Sequence, residues 1–288
     1  MLCKLCSGDA QKIFDANNIH GRHIFSVDEK FEVYRCNKCN VVFIANVLID
    51  SAYYGKYYPK NYYNELYGKV LQYIIEQIGN VAIRSREKQI LSNLSLNDGV
   101  KAKILDVGCG SGGFLSGISD NNFEKYGIEI NPEGYKICKD KGIKVYNQDI
   151  KNISFGDKFF DVITLWHVIE HIATPYEIIS EIKRILKDDG VLVITMPNTD
   201  SFGFKYGQKF WFHLDAPRHL ILYNMKSLTQ LMSKAGFSIL KKKNMFFEFP
   251  LDLFWSIRKS WVRYFIYPFY PMFKILSEET ILLVCKKQ

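Results

Sequence analysis

Three groups of residues in this 288-residue chain are of types, and at spacings, that do chemistry. The first is a pair of CxxC motifs, Cys3-Lys-Leu-Cys6 and Cys36-Asn-Lys-Cys39. A two-residue gap lets a tight turn aim both sulfurs at one point, and two such turns complete the tetrahedral thiolate shell that Zn²⁺ prefers. Four protein ligands leave no open position, so the ion would fold a small module rather than catalyse. A lone CxxC could be redox-active; two in one short module favour metal. Cys109, Cys138 and Cys285 stand apart in the sequence and read as small buried apolar residues.

The second group is the glycine loop that follows the apolar run Lys103–Val107, with Asp106, Gly108, Cys109, Gly110 and Gly112. Gly108, Gly110 and Gly113 satisfy GxGxxG, so a dinucleotide site is one reading. Asp106 argues against it, because a carboxylate at the strand end repels a pyrophosphate. It favours S-adenosylmethionine, which carries an ammonium and a sulfonium. Glu129 ends a second strand about 20 residues further on, where a carboxylate accepts ribose hydroxyls. Asp149 ends a third and is placed to accept from an adenine amino group.

The third group is histidines. His167 and His171, with Glu170 between them, follow the strand 160–165, and His213 and His219 lie with Asp215 and Arg218 in the stretch 210–220. Methyl transfer needs alignment and then a proton acceptor, and imidazole titrates near neutrality. His219 is the expected acceptor, with His171, His213 and His167 as alternatives; Glu170 and His171 could instead only fix their loop. Asn198 is a further polar residue at the rim.

Strands near 103–107, 125–130, 144–149, 160–165 and 191–196 alternate with helices, and strands 237–244 and 280–285 follow. This order predicts an α/β fold: a doubly wound, mostly parallel, seven-stranded Rossmann-like sheet with a small N-terminal zinc ribbon. The expected divisions are a ribbon over 1–48, a tyrosine-rich linker and helical cap over 49–100, and the cofactor-binding domain over 101–288. Within the last, 199–224 forms an acceptor-site loop and 246–279 an aromatic and basic insertion. The tyrosines from Tyr53 to Tyr67 could cover the cofactor or pack ribbon against domain.

The net charge is +8, and nine basic against four acidic residues lie between Lys241 and Gln288. That is too mild to imply nucleic acid. No run reaches the roughly 18 apolar residues of a membrane span, and the start lacks the apolar core of a signal peptide. A cytoplasmic location is expected. Aromatics beside Arg258, Lys259 and Arg263 suit peripheral contact of 246–276 with anionic lipid at the inner membrane face, an oligomer contact or a substrate lid.

The DxGxGxG loop at 106–112, Glu129, Asp149 and Phe160-Asp-Val-Ile-Thr-Leu-Trp-His-Val-Ile-Glu-His171 together resemble the class I S-adenosylmethionine-dependent methyltransferases, from about 101 to 245. The resemblance implies that Asp106 to Gly112 cradle the methionine part, Glu129 the ribose, and Asp149 with Ile150 the adenine. Ile130 and Trp166 would complete that site. The stretch Trp211-Phe-His-Leu-Asp-Ala-Pro-Arg-His-Leu220 with the ribbon resembles bacterial surface-glycan and sugar methyltransferases. It implies O-methylation of a sugar hydroxyl. Sugar C-methyltransferases share the ribbon-then-domain order but carry a further C-terminal domain not found here. Rival readings are an RNA base methyltransferase, a C-methyltransferase of a nucleotide sugar, a non-catalytic cofactor-binding module and an NAD-dependent oxidoreductase.

Overall fold

A computed structural model describes residues 1–17, 29–58, 69–94, 99–245 and 248–288. Near the N-terminus β1 (Ala10–Asn17), β2 (Lys30–Cys36) and β3 (Val42–Ile44) pair antiparallel, with Ala10 opposite Cys36 and Tyr34 opposite Phe43. Helices α1 (Ser51–Tyr57) and α2 (Lys69–Leu91) follow. Asp50 caps α1 by accepting the Tyr53 amide at 2.9 Å.

The large sheet is then laid down. It begins with β4 (Ala102–Val107), α3 (Gly113–Gly117), β5 (Phe123–Ile128), α4 (Pro132–Asp140), β6 (Lys144–Tyr146) and β7 (Phe160–Trp166). Asn131 caps α4, and Pro132 occupies its first turn, where no amide partner is lost. Next come α5 (Pro175–Ile185) and β8 (Leu186–Pro197). Ile178, Ile179, Ile182 and Ile185 recur at helical spacing and are all buried against the sheet. After α6 (Phe202–Gly207) and β9 (Ile221–Leu222), α7 (Met225–Lys234) starts in a reciprocal cap between Asn224 and Ser227. The chain ends with β10 (Phe237–Asn244), α8 (Asp252–Ile257), α9 (Arg263–Ile266), α10 (Tyr270–Leu276) and β11 (Thr280–Lys287).

The seven strands run in the order β10-β11-β8-β7-β4-β5-β6. β11 is antiparallel to both neighbours, and the pairs from β8 to β6 are parallel. The expected doubly wound, mostly parallel sheet is therefore present. Helices cover both faces, so the central strands are apolar on both: Ile104, Leu105, Val162, Ile163, Leu192 and Val193 are fully buried. Because β4 leads to β5 on one side and β7 lies on the other, winding reverses there. The carboxyl ends of β4 and β7 form the switch point at which open α/β sheets bind ligands.

Three details differ from the linear reading. The strand expected at 191 begins at Leu186, and the register jumps from Phe160–Leu186 to Val162–Val191, so Asp188-Asp189-Gly190 bulges out of a longer strand. The ribbon is not closed at residue 48: β9 adds a fourth strand, with Val42 opposite Leu222, and one apolar core runs from Val33 and Phe43 to Tyr223 and Leu165. Cys109 and Cys138 are not solitary, since their sulfurs lie 3.7 Å apart. Of the tyrosine-rich stretch, Tyr53 and Tyr57 are buried, and the Tyr53 hydroxyl donates to the Pro217 carbonyl at 3.2 Å, which is packing between linker and domain. Residues 59–68, with Tyr62, Tyr63 and Tyr67, lie outside the described residues, as do 246 and 247.

Candidate active site

The glycine loop turns at the end of β4 with Gly108, Gly110 and Gly112 at φ of +71°, +57° and +73°. A side chain is strained at such angles, and at Gly108 a Cβ would stand 2.7 Å from Val168 Cγ2. The bare backbone so formed can approach a ligand closely.

Two carboxylates frame the loop. Asp106 sits opposite Gly127 of β5 and Thr164 of β7, 2% exposed, and accepts from Thr164 Oγ1 at 2.7 Å. Burial pushes its carboxyl up to about 7 against the pull of Thr164. Glu129 is buried too. Its Oε2 accepts the Gly110 amide at 2.8 Å and its Oε1 the Asn131 amide at 2.7 Å, so the expected ribose acceptor also holds the loop's shape.

Ile130 beside it is 49% exposed, an open apolar face where the strand ends. Asp149 is exposed and caps the turn after β6 by accepting the Lys151 amide at 2.9 Å, while Ile150 beneath it is buried. Trp166, at the end of β7, meets Phe114 edge-on at 4.9 Å and lies under the Arg86 guanidinium at 4.3 Å. Cys109 is buried behind the loop against Cys138. The residues expected at the cofactor thus lie at or just past the carboxyl ends of β4, β5, β6 and β7.

The four histidines converge on the carboxyl end of β7 but occupy different electrostatic settings. His167 Nε2 is 2.9 Å from Glu248 Oε2, and its Nδ1 is 3.4 Å from Glu170 Oε1. Burial alone would lower it; the two carboxylates prevail and hold it at about 9, a cation at neutral pH. His213 stacks parallel to His167 at 6.4 Å and bonds Asp252 Oδ2 through Nε2 at 3.0 Å. Burial lowers it despite that carboxylate. His219 meets His171 edge-on at 4.6 Å, and burial drives it down to about 3. The expected proton acceptor is therefore a much weaker base than an ordinary imidazole. Half-buried His171 is also lowered by desolvation. Asn198 is buried in the turn after β8, donating to the Glu278 carbonyl at 3.1 Å.

Sequence reasoning missed Arg86, Glu248 and Asp252 as site residues. Arg86 Nε donates to Glu248 Oε1 at 2.9 Å across 162 positions, and burial of that carboxylate is outweighed by Arg86 and His167, which hold it near 2. Asp252 bridges His213 and Lys274, the latter at 2.7 Å. No local pattern announces partners so far apart. A cleft of about 660 Å³ between Lys158, Arg184, Asp188 and Lys287 lies at the opposite, amino-terminal end of the parallel strands, away from these groups.

The four N-terminal cysteines meet: their sulfurs all lie within 4.8 Å of one another, with Cys3–Cys39 at 3.7 Å and Cys6–Cys36 at 3.5 Å. A tetrahedron with metal–sulfur bonds of about 2.3 Å has edges of about 3.8 Å, so the set fits zinc. Backbone amides of Leu5, Lys38 and Cys39 point at these sulfurs at 3.3–3.4 Å, as suits thiolates.

Residues 82–242 match the family model described as "Methyltransferase domain". An uncharacterized protein of Methanocaldococcus jannaschii is 30% identical over 152 residues, covering 51% of this chain and 70% of its own. The ubiquinone biosynthesis O-methyltransferase of Rickettsia prowazekii is 30% identical over 139 residues, 46% of this chain and 54% of that protein, so the match spans about half of that relative. Among solved structures, a SAM-dependent methyltransferase from Archaeoglobus fulgidus superposes with a TM-score of 0.51 at 20% identity, over 72% of this chain and 94% of that one. One from Listeria monocytogenes, titled a putative S-adenosylmethionine-dependent methyltransferase, gives 0.51 at 16%, over 74% and 99%. These last two share the fold. With the glycine loop, its paired carboxylates and the strand order already in place, the chain belongs to the methyltransferase-domain family and is a methyltransferase of the S-adenosylmethionine-dependent kind.

Proposed function

We propose that the chain moves the methyl group of S-adenosylmethionine onto a saccharide hydroxyl, and that the four cysteines hold a structural Zn²⁺. The observation that carries the acceptor reading is the placement of the segment 211–220. Its backbone is tied to the end of β7 by the Leu220 amide donating to the Glu170 carbonyl at 2.8 Å. This ties the segment to the turn that carries Glu170 and His171: His219 meets His171 at 4.6 Å, Arg218 pairs with Asp215, and His213 lies 5.2 Å from the Phe249 ring. Hydrogen-bonding groups beside flat apolar faces match a sugar, which offers hydroxyls on its edge and C–H groups on its face.

Methyl transfer is an in-line displacement at sulfur-activated carbon. The acceptor oxygen forms the new C–O bond, the C–S bond breaks, S-adenosylhomocysteine leaves and the hydroxyl proton passes to a base. His213 suits that role better than His219. It is neutral in the resting site, yet the carboxylate of Asp252 stands ready to stabilise the imidazolium. His167 is already protonated and cannot take the proton.

The test is transfer of labelled methyl from S-adenosylmethionine to nucleotide sugars, surface-glycan extracts and total RNA in parallel. Label in a saccharide fraction as an acid-stable methyl ether supports the reading. Label only in RNA, or only at carbon, overturns it. The reading extends to the surface of the protein. Trp261, Tyr264, Phe265 and Phe269 are each more than half exposed near Arg258 and Arg263, which supports peripheral contact with anionic lipid. Flotation with anionic but not neutral vesicles checks that part. Among the described residues no helix is long and apolar enough to cross a membrane.

A further inference from the structure

Among the described residues a second set of metal-ligand side chains stands apart from the cysteines. Glu170, His171 and His219 each place one donor atom within 4.8 Å of the other two. The first two lie on the single turn after β7, and His219 comes from the segment tied to that turn through Leu220.

Both imidazoles are oriented by main-chain carbonyls. His219 Nδ1 lies 2.7 Å from the His213 oxygen and His171 Nδ1 2.9 Å from the Arg218 oxygen. A carbonyl oxygen only accepts, so the proton of each ring is on Nδ1 and the lone pair on Nε2. That tautomer, fixed by an outer partner on the second nitrogen, is how metal-binding histidines are usually held. The Tyr58 hydroxyl, 3.0 Å from His171 Nδ1, adds to the same anchor.

Glu170 is the second, independent observation. Its side chain is fully buried, and neither carboxylate oxygen makes a hydrogen bond. The nearest cationic group, His167 Nδ1, is 3.4 Å from Oε1 and also serves Glu248. One imidazolium shared with Glu248 leaves both oxygens of a buried carboxylate without a hydrogen bond, and buried carboxylates ordinarily have those places filled by donors or by a metal. A further oxygen, Asp215 Oδ2, lies 3.8 Å from His219 Nε2.

We propose that Glu170, His171 and His219 bind a first-row divalent cation of the Zn²⁺, Fe²⁺ or Mn²⁺ type at the acceptor side of the crevice. Two imidazoles and a carboxylate suit these ions, whereas Mg²⁺ and Ca²⁺ favour all-oxygen shells. The site stands on its own donors, whichever acceptor the enzyme methylates.

The full chain, equilibrated with zinc buffered at nanomolar free concentration, should hold two zinc ions per chain by elemental analysis. His171→Gln and His219→Gln should each hold one. After exchange into Co²⁺, both variants should keep the near-ultraviolet thiolate-to-cobalt bands of the cysteine site, which also reports that they are folded, and lose the weaker visible bands of a nitrogen–oxygen site. A wild-type chain that holds one ion, or variants that both hold two, would overturn the proposal. The wild-type stoichiometry decides the matter if a variant fails to fold. Neither readout depends on methyl transfer, so a wrong acceptor and a wrong metal site are told apart.

Discussion

Thr164 Oγ1 donates to Asp106 Oδ1 at 2.7 Å, joining β7 to β4 at the level where the glycine loop begins. That bond favours the ionised carboxylate, but burial at 2% exposure outweighs it and raises the group to about 7.

The first prediction concerns this group. Its folded pKa of about 7 lies above the unfolded value, so the folded state binds more protons between about pH 4 and 7, and stability contributed here falls as pH rises through that window. Asp106→Asn should therefore unfold at higher temperature than wild type above pH 7, by a few degrees, and match it near pH 4. The same substitution should weaken binding of the cationic donor at least tenfold. Wild-type affinity should rise from pH 6 to 8 as the carboxylate ionises. Calorimetric titration and thermal unfolding across pH check both.

Glu129 fixes the loop's shape by accepting the Gly110 and Asn131 amides, and if it also receives the donor's ribose it couples recognition to that shape. Removing it leaves buried donors unpaired, at about 1–3 kcal/mol each. Glu129→Ala should lower donor affinity by roughly a hundredfold and also destabilise the fold. Glu129→Gln, which keeps an acceptor oxygen, should recover most of the stability but less of the affinity. Equal effects of the two would show that charge alone matters.

If His213 takes the proton, His213→Ala should reduce kcat by roughly 10²–10⁴ while leaving donor affinity within a fewfold. Asp252→Asn should act in the same direction and shift the acidic limb of the pH profile down. A loss in donor affinity equal to the loss in kcat would point to a structural role instead.

His167 makes stability depend on pH in the opposite range from Asp106. Its folded pKa of about 9 exceeds the ordinary imidazole value. Its contribution is complete below about pH 6.5 and is lost as pH rises through 9. Glu248→Gln should remove that alkaline slope and cost roughly 2–4 kcal/mol at pH 7, since it leaves Arg86 and His167 facing each other with one carboxylate fewer. Chemical denaturation at pH 6, 8 and 10 reads the difference.

The cysteine site sits against the same core as the methyltransferase sheet. A strong chelator, or Cys36→Ser, should therefore lower the unfolding temperature of the whole chain by several degrees rather than melt the ribbon alone. Two separated transitions would show that the β9 connection is too weak to couple them.

What could be read from the linear chain was whatever depends on neighbours in sequence. The turn at 108–112 needs glycine because its φ angles are positive, and the alternation of buried strands with capped helices follows from local spacing. β9 escaped notice because two residues carry no periodicity, and it joins the ribbon only through Val42 and Phe43. Arg86 and Glu248 escaped for another reason: Glu248 meets Arg86 across 162 positions and His167 across 81. Cys109 and Cys138 read as unrelated until the loop and α4 folded together.

The residue types and their short-range spacing were enough to specify the alternation of strands and helices, the glycine turn and the two cysteine knuckles, since each is built from a few consecutive residues whose geometry is local. The chemical character of the histidines was settled only in three dimensions. All four have the same intrinsic pKa, yet the carboxylates of Glu170 and Glu248 make His167 a cation, while burial lowers His219 to about 3. Protonation reflects the surrounding charge and solvent, and those are brought to a side chain by elements far away along the chain.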